Sequence, residues 1–169
     1  MSLNMSTHPQ SVFSEKIRPL RVLIAEDNAL VRTSLTAHLT TIPRFEVVDF
    51  AESGEEIITR AHEHKPDVIL MDITMPLMDG IKATQKIRHD FPNVNIVMLT
   101  CHTAMDKVFK AFNCGANAYC LKDIDIEILC EVMEFPLQDD IWVDPAISLM
   151  MRNTNKQGNH YVSFKDDLY

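Results

Sequence analysis

Val68-Ile69-Leu70-Met71-Asp72 is the stretch that decides the fold: four consecutive apolar residues followed at once by a carboxylate. A run this short and this continuous suits a strand buried on both faces, where the alternation of a one-sided strand is lost. Three more runs repeat the design. Arg21-Val22-Leu23-Ile24-Ala25 leads into Glu26-Asp27, Asn95-Ile96-Val97-Met98-Leu99 into Thr100, and Ala118-Tyr119-Cys120-Leu121 into Lys122. As parallel strands of one sheet, all four deliver their polar groups to the same carboxyl edge, where open α/β sheets bind ligands. Carboxylates gathered with one hydroxyl and one ammonium group suit a hard divalent cation beside a phosphoryl group.

Between the runs the spacing turns helical. Asn28 is placed as an N-cap ahead of the stripe Leu30, Val31, Leu35 and Leu39, and Pro43 closes that region. Residues 46–51 form a further strand, and Ser53 caps a helix carrying Ile57, Ile58 and Ala61. After the turn pair Asp79-Gly80, residues 81–89 are helical with Ile81, Thr84 and Ile87 inward. A helix over 104–113 ends near Gly115, which suits a left-handed cap, and 124–134 carries Ile124, Ile128, Leu129 and Val132 at helical spacing. Five strands alternating with five helices predict a doubly wound α/β domain, its parallel sheet covered on both faces. Residues 1–19 read as a flexible leader and 20–135 as the folded domain. Residues 136–169 read as a connection, a short helix over 145–151 beginning at Pro145, and a polar linker or tail from Arg152.

Composition narrows the function. The 169 residues carry a formal net charge of -8, which argues against this chain gripping nucleic acid unaided. No apolar run approaches the roughly 20 residues needed to cross a bilayer, and residues 1–19 lack the apolar core of a secretion signal. The expectation is a cytoplasmic protein with no membrane partner. None of the four cysteines forms a C-x-x-C pair, so they read as reduced, mostly buried thiols and a zinc site is not expected. His62-x-His64 reads as a solvated helix end.

Taken singly, each polar residue at the sheet edge has an ordinary structural reading. Glu26 and Asp27 satisfy the demand of a helix N-terminus for negative charge, and Asp72 serves as a cap. Thr100 is a β-branched strand residue, and Lys122 is a solvated charge. All of them matching at four strand ends by accident is the improbable outcome. In the shared reading Asp72 is a nucleophile toward phosphorus, with a divalent cation offsetting the repulsion between two anions. Thr100 and Lys122 then contact the phosphoryl oxygens.

The blocks VLIAEDN (22–28), VILMDITMPLMDG (68–80), IVMLT (96–100) and GANAYCLKD (115–123) resemble the receiver domain of two-component response regulators. The likeness runs in order from Arg21 to Glu134. It implies the flavodoxin-like fold with strand order 2-1-3-4-5. It also implies Asp72 as phosphoacceptor, and Asp27, Asp72 and the backbone carbonyl of Thr74 as Mg²⁺ ligands, with Glu26 assisting through water. Thr100 and Lys122 become the phosphoryl contacts, and Thr100 and Tyr119 the switch pair. Tyr119, three residues before Lys122, is expected to face the other side of the strand, toward the surface that partners read, and to turn inward on phosphorylation. The implied donor is a sensor histidine kinase. A homodimer on phosphorylation is a further implication, and the only chemistry is self-phosphorylation and slow autodephosphorylation, not enzymatic turnover.

Three departures from the common pattern stand out: Asp123 where many receivers have proline, Cys101 where alanine is frequent, and Thr74 with His102 at positions that tune phosphoryl loss. The absence of that proline, with Ile141-Trp142-Val143-Asp144-Pro145-Ala146, resembles the subfamily whose receiver precedes a helix-turn-helix DNA-binding domain. The implied output is transcription through a domain outside this chain, which itself makes no nucleic-acid contact. Two alternatives stand beside it. One is a stand-alone receiver acting through protein–protein contacts. The other is a Mg²⁺-dependent phosphohydrolase with an aspartyl nucleophile, which Thr74 disfavours because such enzymes place a second Asp there.

Overall fold

The computed structural model describes residues 18–134 and 141–155. The leader over 1–17, the connection over 135–140 and the tail over 156–169 lie outside the described residues. Among the described residues, six parallel strands form one sheet: β1 (Leu20–Ala25), β2 (Phe45–Ala51), β3 (Val68–Met71), β4 (Asn95–Thr100), β5 (Ala118–Leu121) and β6 (Trp142–Val143), in the order β2-β1-β3-β4-β5-β6. Six described helices connect and cover them: α1 (Ala29–Leu39), α2 (Gly54–His64), α3 (Gly80–Asp90), α4 (Met105–Asn113), α5 (Ile126–Glu134) and α6 (Pro145–Asn155). The expected α/β class and the order of the first five strands hold.

Strand alternation divides the core in two. Leu23, Ala25, Ile69, Met71, Ile96, Met98 and Tyr119 point to one face, where they pack with Ile57 and Ala61 of α2, Ala83 and Ile87 of α3, and Val108 and Ala111 of α4. Val22, Ile24, Val68, Leu70, Val97, Leu99 and Cys120 point to the other, against Leu39 of α1 and Leu129, Cys130, Val132 and Met133 of α5. All four residues of β3 are buried, as a central strand of a doubly covered sheet requires. Each such aliphatic side chain contributes about 1.5–3 kcal/mol on burial.

Capping fixes where the helices begin. Asn28 accepts from the amides of Leu30 and Val31, and Ser53 accepts from Glu56. Asp79, expected as a turn residue, is the N-cap of α3 and accepts from the amide of Lys82. Gly115 adopts φ +99, the left-handed conformation its position after α4 requires.

Four expectations need correction. A sixth strand extends the sheet: β6 is only two residues long, too short to show any periodicity, and it exists by pairing Trp142 with Ala118 and Val143 with Tyr119. The final helix does not stop at 151 but continues to Asn155, because Arg152-Asn153-Thr154-Asn155 is polar without containing a breaker. Leu30, read as part of the inward stripe of α1, is 79% exposed, and Ile128 of α5 is 44% exposed. Ile128 lies two positions after Ile126, which packs on the core, and so falls on the opposite face of α5. His64 is more than a solvated helix end, since its Nε2 lies 2.9 Å from Asp49 Oδ2.

Candidate functional site

Register brings the site together. Ala25 pairs with Met71 and Met71 with Met98, while Thr100 pairs with Leu121. The residues that follow these pairs therefore leave the sheet at one level. Backbone bonds hold the exits: Asp72 donates its amide to the Ala25 carbonyl, Glu26 to Ala51 and Lys122 to Thr100, each at 2.9 Å. Gly80 at the start of α3 packs so closely on β3 that an added Cβ would stand 1.9 Å from the Asp72 carbonyl oxygen. Helix α3 thus braces the backbone of Asp72 directly.

At this edge Glu26, Asp27 and Asp72 each offer a carboxylate oxygen within 4.8 Å of the others. Glu26 and Asp72 are buried and Asp27 is exposed, so the group opens to solvent on the Asp27 side. Lys122 reaches across: its ammonium lies 2.7 Å from Glu26 Oε2 and 2.9 Å from Asp72 Oδ2. Burial pushes the Glu26 carboxyl above its ordinary value, although Lys122 and the Asn28 amide pull the other way. Burial works to lower the Lys122 value, but its bonds to Glu26 and Asp72 outweigh that and hold the ammonium above the ordinary range. One ammonium thus bridges the two buried acids.

The remaining site residues converge on His102. Its amide donates to Thr100 Oγ1 at 3.2 Å, its Nε2 lies 2.6 Å from Thr74 Oγ1, and its carbonyl accepts from the Tyr119 hydroxyl at 2.9 Å. Thr74 also donates its amide to Asp72 Oδ1 at 3.3 Å. Thr100 is fully buried. Tyr119 corrects the sequence expectation. Its ring faces inward, fully buried beside Phe112 with centroids 6.4 Å apart, and burial pushes its phenol up to about 12. Position along the strand did set its face, but that face is covered, and the hydroxyl finds its partner inside.

Sequence reasoning missed one residue. Asp144 is buried; its Oδ1 caps α6 through the Ala146 amide at 2.9 Å, and its Oδ2 accepts from the Leu121 amide at 3.2 Å. An Asp directly before Pro145 is a helix-start signal that marks the cap, though not the second bond. The four cysteines are free, with Cys120 and Cys130 buried and Cys101 exposed beside Thr100.

Three carboxylates with nearby backbone oxygen form a hard donor set of the kind that holds Mg²⁺ with several waters retained, and they fit that ion. No described helix is long and apolar enough to cross a membrane.

Comparison with known proteins agrees with this geometry. Residues 22–134 match the response regulator receiver domain family. The chain is 34% identical over 139 residues to the response regulator protein VraR of Staphylococcus saprophyticus, covering 82% of this chain and 66% of that protein. Among solved structures, a LuxR-family two-component response regulator from Aurantimonas superposes with a TM-score of 0.75 at 28% identity, covering 82% of this chain and 99% of that one. A LuxR-family DNA-binding response regulator from Staphylococcus aureus gives 0.64 at 27% identity, covering 68% and 95%. Receiver domains bind Mg²⁺ at an acidic pocket and interact with histidine kinases, and the described residues of this chain gather an acidic group, Glu26, Asp27 and Asp72. With the fold, the acidic edge and the sequence match in agreement, this chain belongs to the receiver-domain family of two-component response regulators.

Proposed function

We propose that Asp72 is the phosphoacceptor of this receiver and that a phosphohistidine on a sensor kinase is its donor. One Asp72 carboxylate oxygen attacks phosphorus, forming an O–P bond. The N–P bond of the phosphohistidine breaks, and its electron pair returns to the imidazole nitrogen, which takes up a proton. Water later attacks the same phosphorus and releases inorganic phosphate, restoring the carboxylate. Mg²⁺, when bound, lowers the repulsion between the incoming phosphoryl group and the acids. Asp27, Asp72 and the Thr74 carbonyl are its ligands in this reading, with Glu26 acting through water.

The observation that carries the proposal is the ammonium of Lys122 lying between Asp72 and Glu26. A cation already bonded to the acceptor needs only a small movement to follow negative charge onto a phosphoryl oxygen. Thr100, at the end of β4 beside Lys122, supplies the hydroxyl contact and transmits the change to Tyr119 through His102. The chain spans 66% of the length of the curated relatives it matches, and one similar solved structure is described as DNA-binding. We assign its output to transcription control through a DNA-binding domain outside these residues, from a cytoplasmic location, with a homodimer as the phosphorylated form.

The experiment is transfer from an autophosphorylated histidine kinase, followed by hydroxylamine, which cleaves acyl phosphates. Label that hydroxylamine removes, at no more than one per chain, supports the proposal. Sustained release of phosphate over many turnovers would instead favour the phosphohydrolase reading, which the Thr74 side chain disfavours because it offers a hydroxyl where that chemistry uses a carboxylic acid.

A further inference from the structure

Beyond α5 the chain does not leave the domain. It returns to add β6 to the edge of the sheet and then lays α6 on the face that carries α4. Ile147 of α6 is fully buried in the same cluster as Tyr119, Val108, Ala111 and Phe112, with Val143 and Met151 packed against it. Asp144, between β6 and α6, grips β5 twice. Its amide donates to the Tyr119 carbonyl at 2.9 Å and its Oδ2 accepts from the Leu121 amide at 3.2 Å. One residue of this segment is thus bonded to the switch tyrosine and to the residue directly before Lys122.

These contacts bear on the state of Tyr119. A ring buried this completely needs cover on its outer side, and its inward position is fixed by the bond from its hydroxyl to His102. That inward ring coexists with Lys122 bonded to Asp72 and Glu26. Part of that cover comes in cis from 141–155, through Val143, Ile147 and Met151 of the same cluster, beside Phe112 of α4. Removing it would open the cluster around Tyr119 to water and release the carbonyl and amide that flank Cys120 on β5.

We propose that residues 141–155 form a strap whose docking on β5 holds Tyr119 inward, so that strap docking and phosphorylation of Asp72 favour one another. The inference rests on the receiver reading above. Coupling between two sites is reciprocal: whatever factor the docked strap lends to phosphorylation, phosphorylation returns to the strap. The two sites are the acidic edge and the groove under α6. The two states are Tyr119 inward beneath a docked strap and Tyr119 uncovered.

Trp142, the single tryptophan of the chain, lies in β6 and reports docking directly. The test is acrylamide quenching of Trp142 in the full chain, before and after treatment with acetyl phosphate and Mg²⁺, with Ile147→Asp treated in parallel. The expected result is weaker quenching of the labelled parent, stronger quenching of Ile147→Asp, and labelling of that variant reduced about fivefold or more at limiting donor. Labelling of Ile147→Asp equal to the parent, with Trp142 exposed, would overturn the strap. Since that substitution also touches the core, hydrogen exchange on the unmutated protein is the second measurement. Slower exchange of the Asp144 and Ser148 amides on labelling supports the coupling, and unchanged exchange rejects it. A parent that takes up no phosphoryl group would sink the receiver reading and the strap with it, whereas a labelled parent with an indifferent strap sinks the strap alone.

Discussion

Replacing Lys122 by Met keeps most of the side-chain volume and removes the one ammonium that bonds both Glu26 and Asp72. Those carboxylates are 2% and 5% exposed, so the substitution leaves two like charges in a site nearly closed to water. Breaking a buried ion pair from one side typically costs about 3–5 kcal/mol. The Lys122 side chain is 18% exposed and Asp27 opens the site on one side, so partial solvation reduces the expectation to about 2–4 kcal/mol. At roughly 3 °C per kcal/mol, the midpoint of thermal unfolding falls by about 6–12 °C. The sign of the pH dependence follows from Glu26, whose carboxyl already stands above its ordinary value through burial. Such a group favours the fold most below its unfolded value, and that contribution is lost as pH rises through the folded value. Without Lys122 the folded value rises further, so the deficit of the variant is largest near neutral pH and shrinks on mild acidification. Mg²⁺ should repair part of it by replacing the missing positive charge, stabilising the variant more than the parent. Urea unfolding at neutral and mildly acidic pH, with and without Mg²⁺, measures all of this. A variant as stable as the parent in metal-free neutral buffer, or a deficit that deepens on acidification, would refute the reasoning.

Three other substitutions probe the frame around the site. Gly80→Ala forces a Cβ to within 1.9 Å of the Asp72 carbonyl, an overlap with backbone that no rotamer relieves; about 3 kcal/mol should be lost in urea unfolding, with Mg²⁺ affinity weakened as Asp72 shifts. Tyr119→Phe leaves the His102 carbonyl without its donor and should cost about 1 kcal/mol by the same assay. Asp67 accepts from Arg18 at 2.6 and 2.8 Å and from the Arg21 amide at 2.8 Å, bonds that hold its carboxyl below the ordinary range, with Arg18 the largest cause. Its contribution is therefore present above the unfolded value of about 3.9 and lost as pH falls through the folded value. Thermal unfolding of Asp67→Asn across that acidic window should show a shallower decline than the parent.

Much of the fold was legible because its central strands are buried on both faces and α1, α2 and α3 carry side-chain caps. Val68 to Met71 has one plausible environment, and Asn28 and Ser53 announce the helices that follow them. Parallel register then places Glu26, Asp72 and Lys122 together without any need to see the side chains. What escaped was decided by tertiary contact. The strand at Trp142–Val143 is two residues long and forms only because β5 offers an open edge. Leu30 fits a helical stripe yet stands in solvent. Tyr119 was placed on the correct face of its strand, but nothing local shows that α4 and α6 cover it. Asp144 signals a helix start, while its bond to the Leu121 amide depends on a chain reversal that no spacing rule records.

The central claim is that Asp72 accepts the phosphoryl group. Its most direct test is the intact mass of the protein after incubation with Mg²⁺ and acetyl phosphate, run beside Asp72→Ala. The account predicts the gain of one phosphoryl group by the parent and none by the variant. Stoichiometric labelling that persists in Asp72→Ala, or a parent that gains no mass, would contradict it.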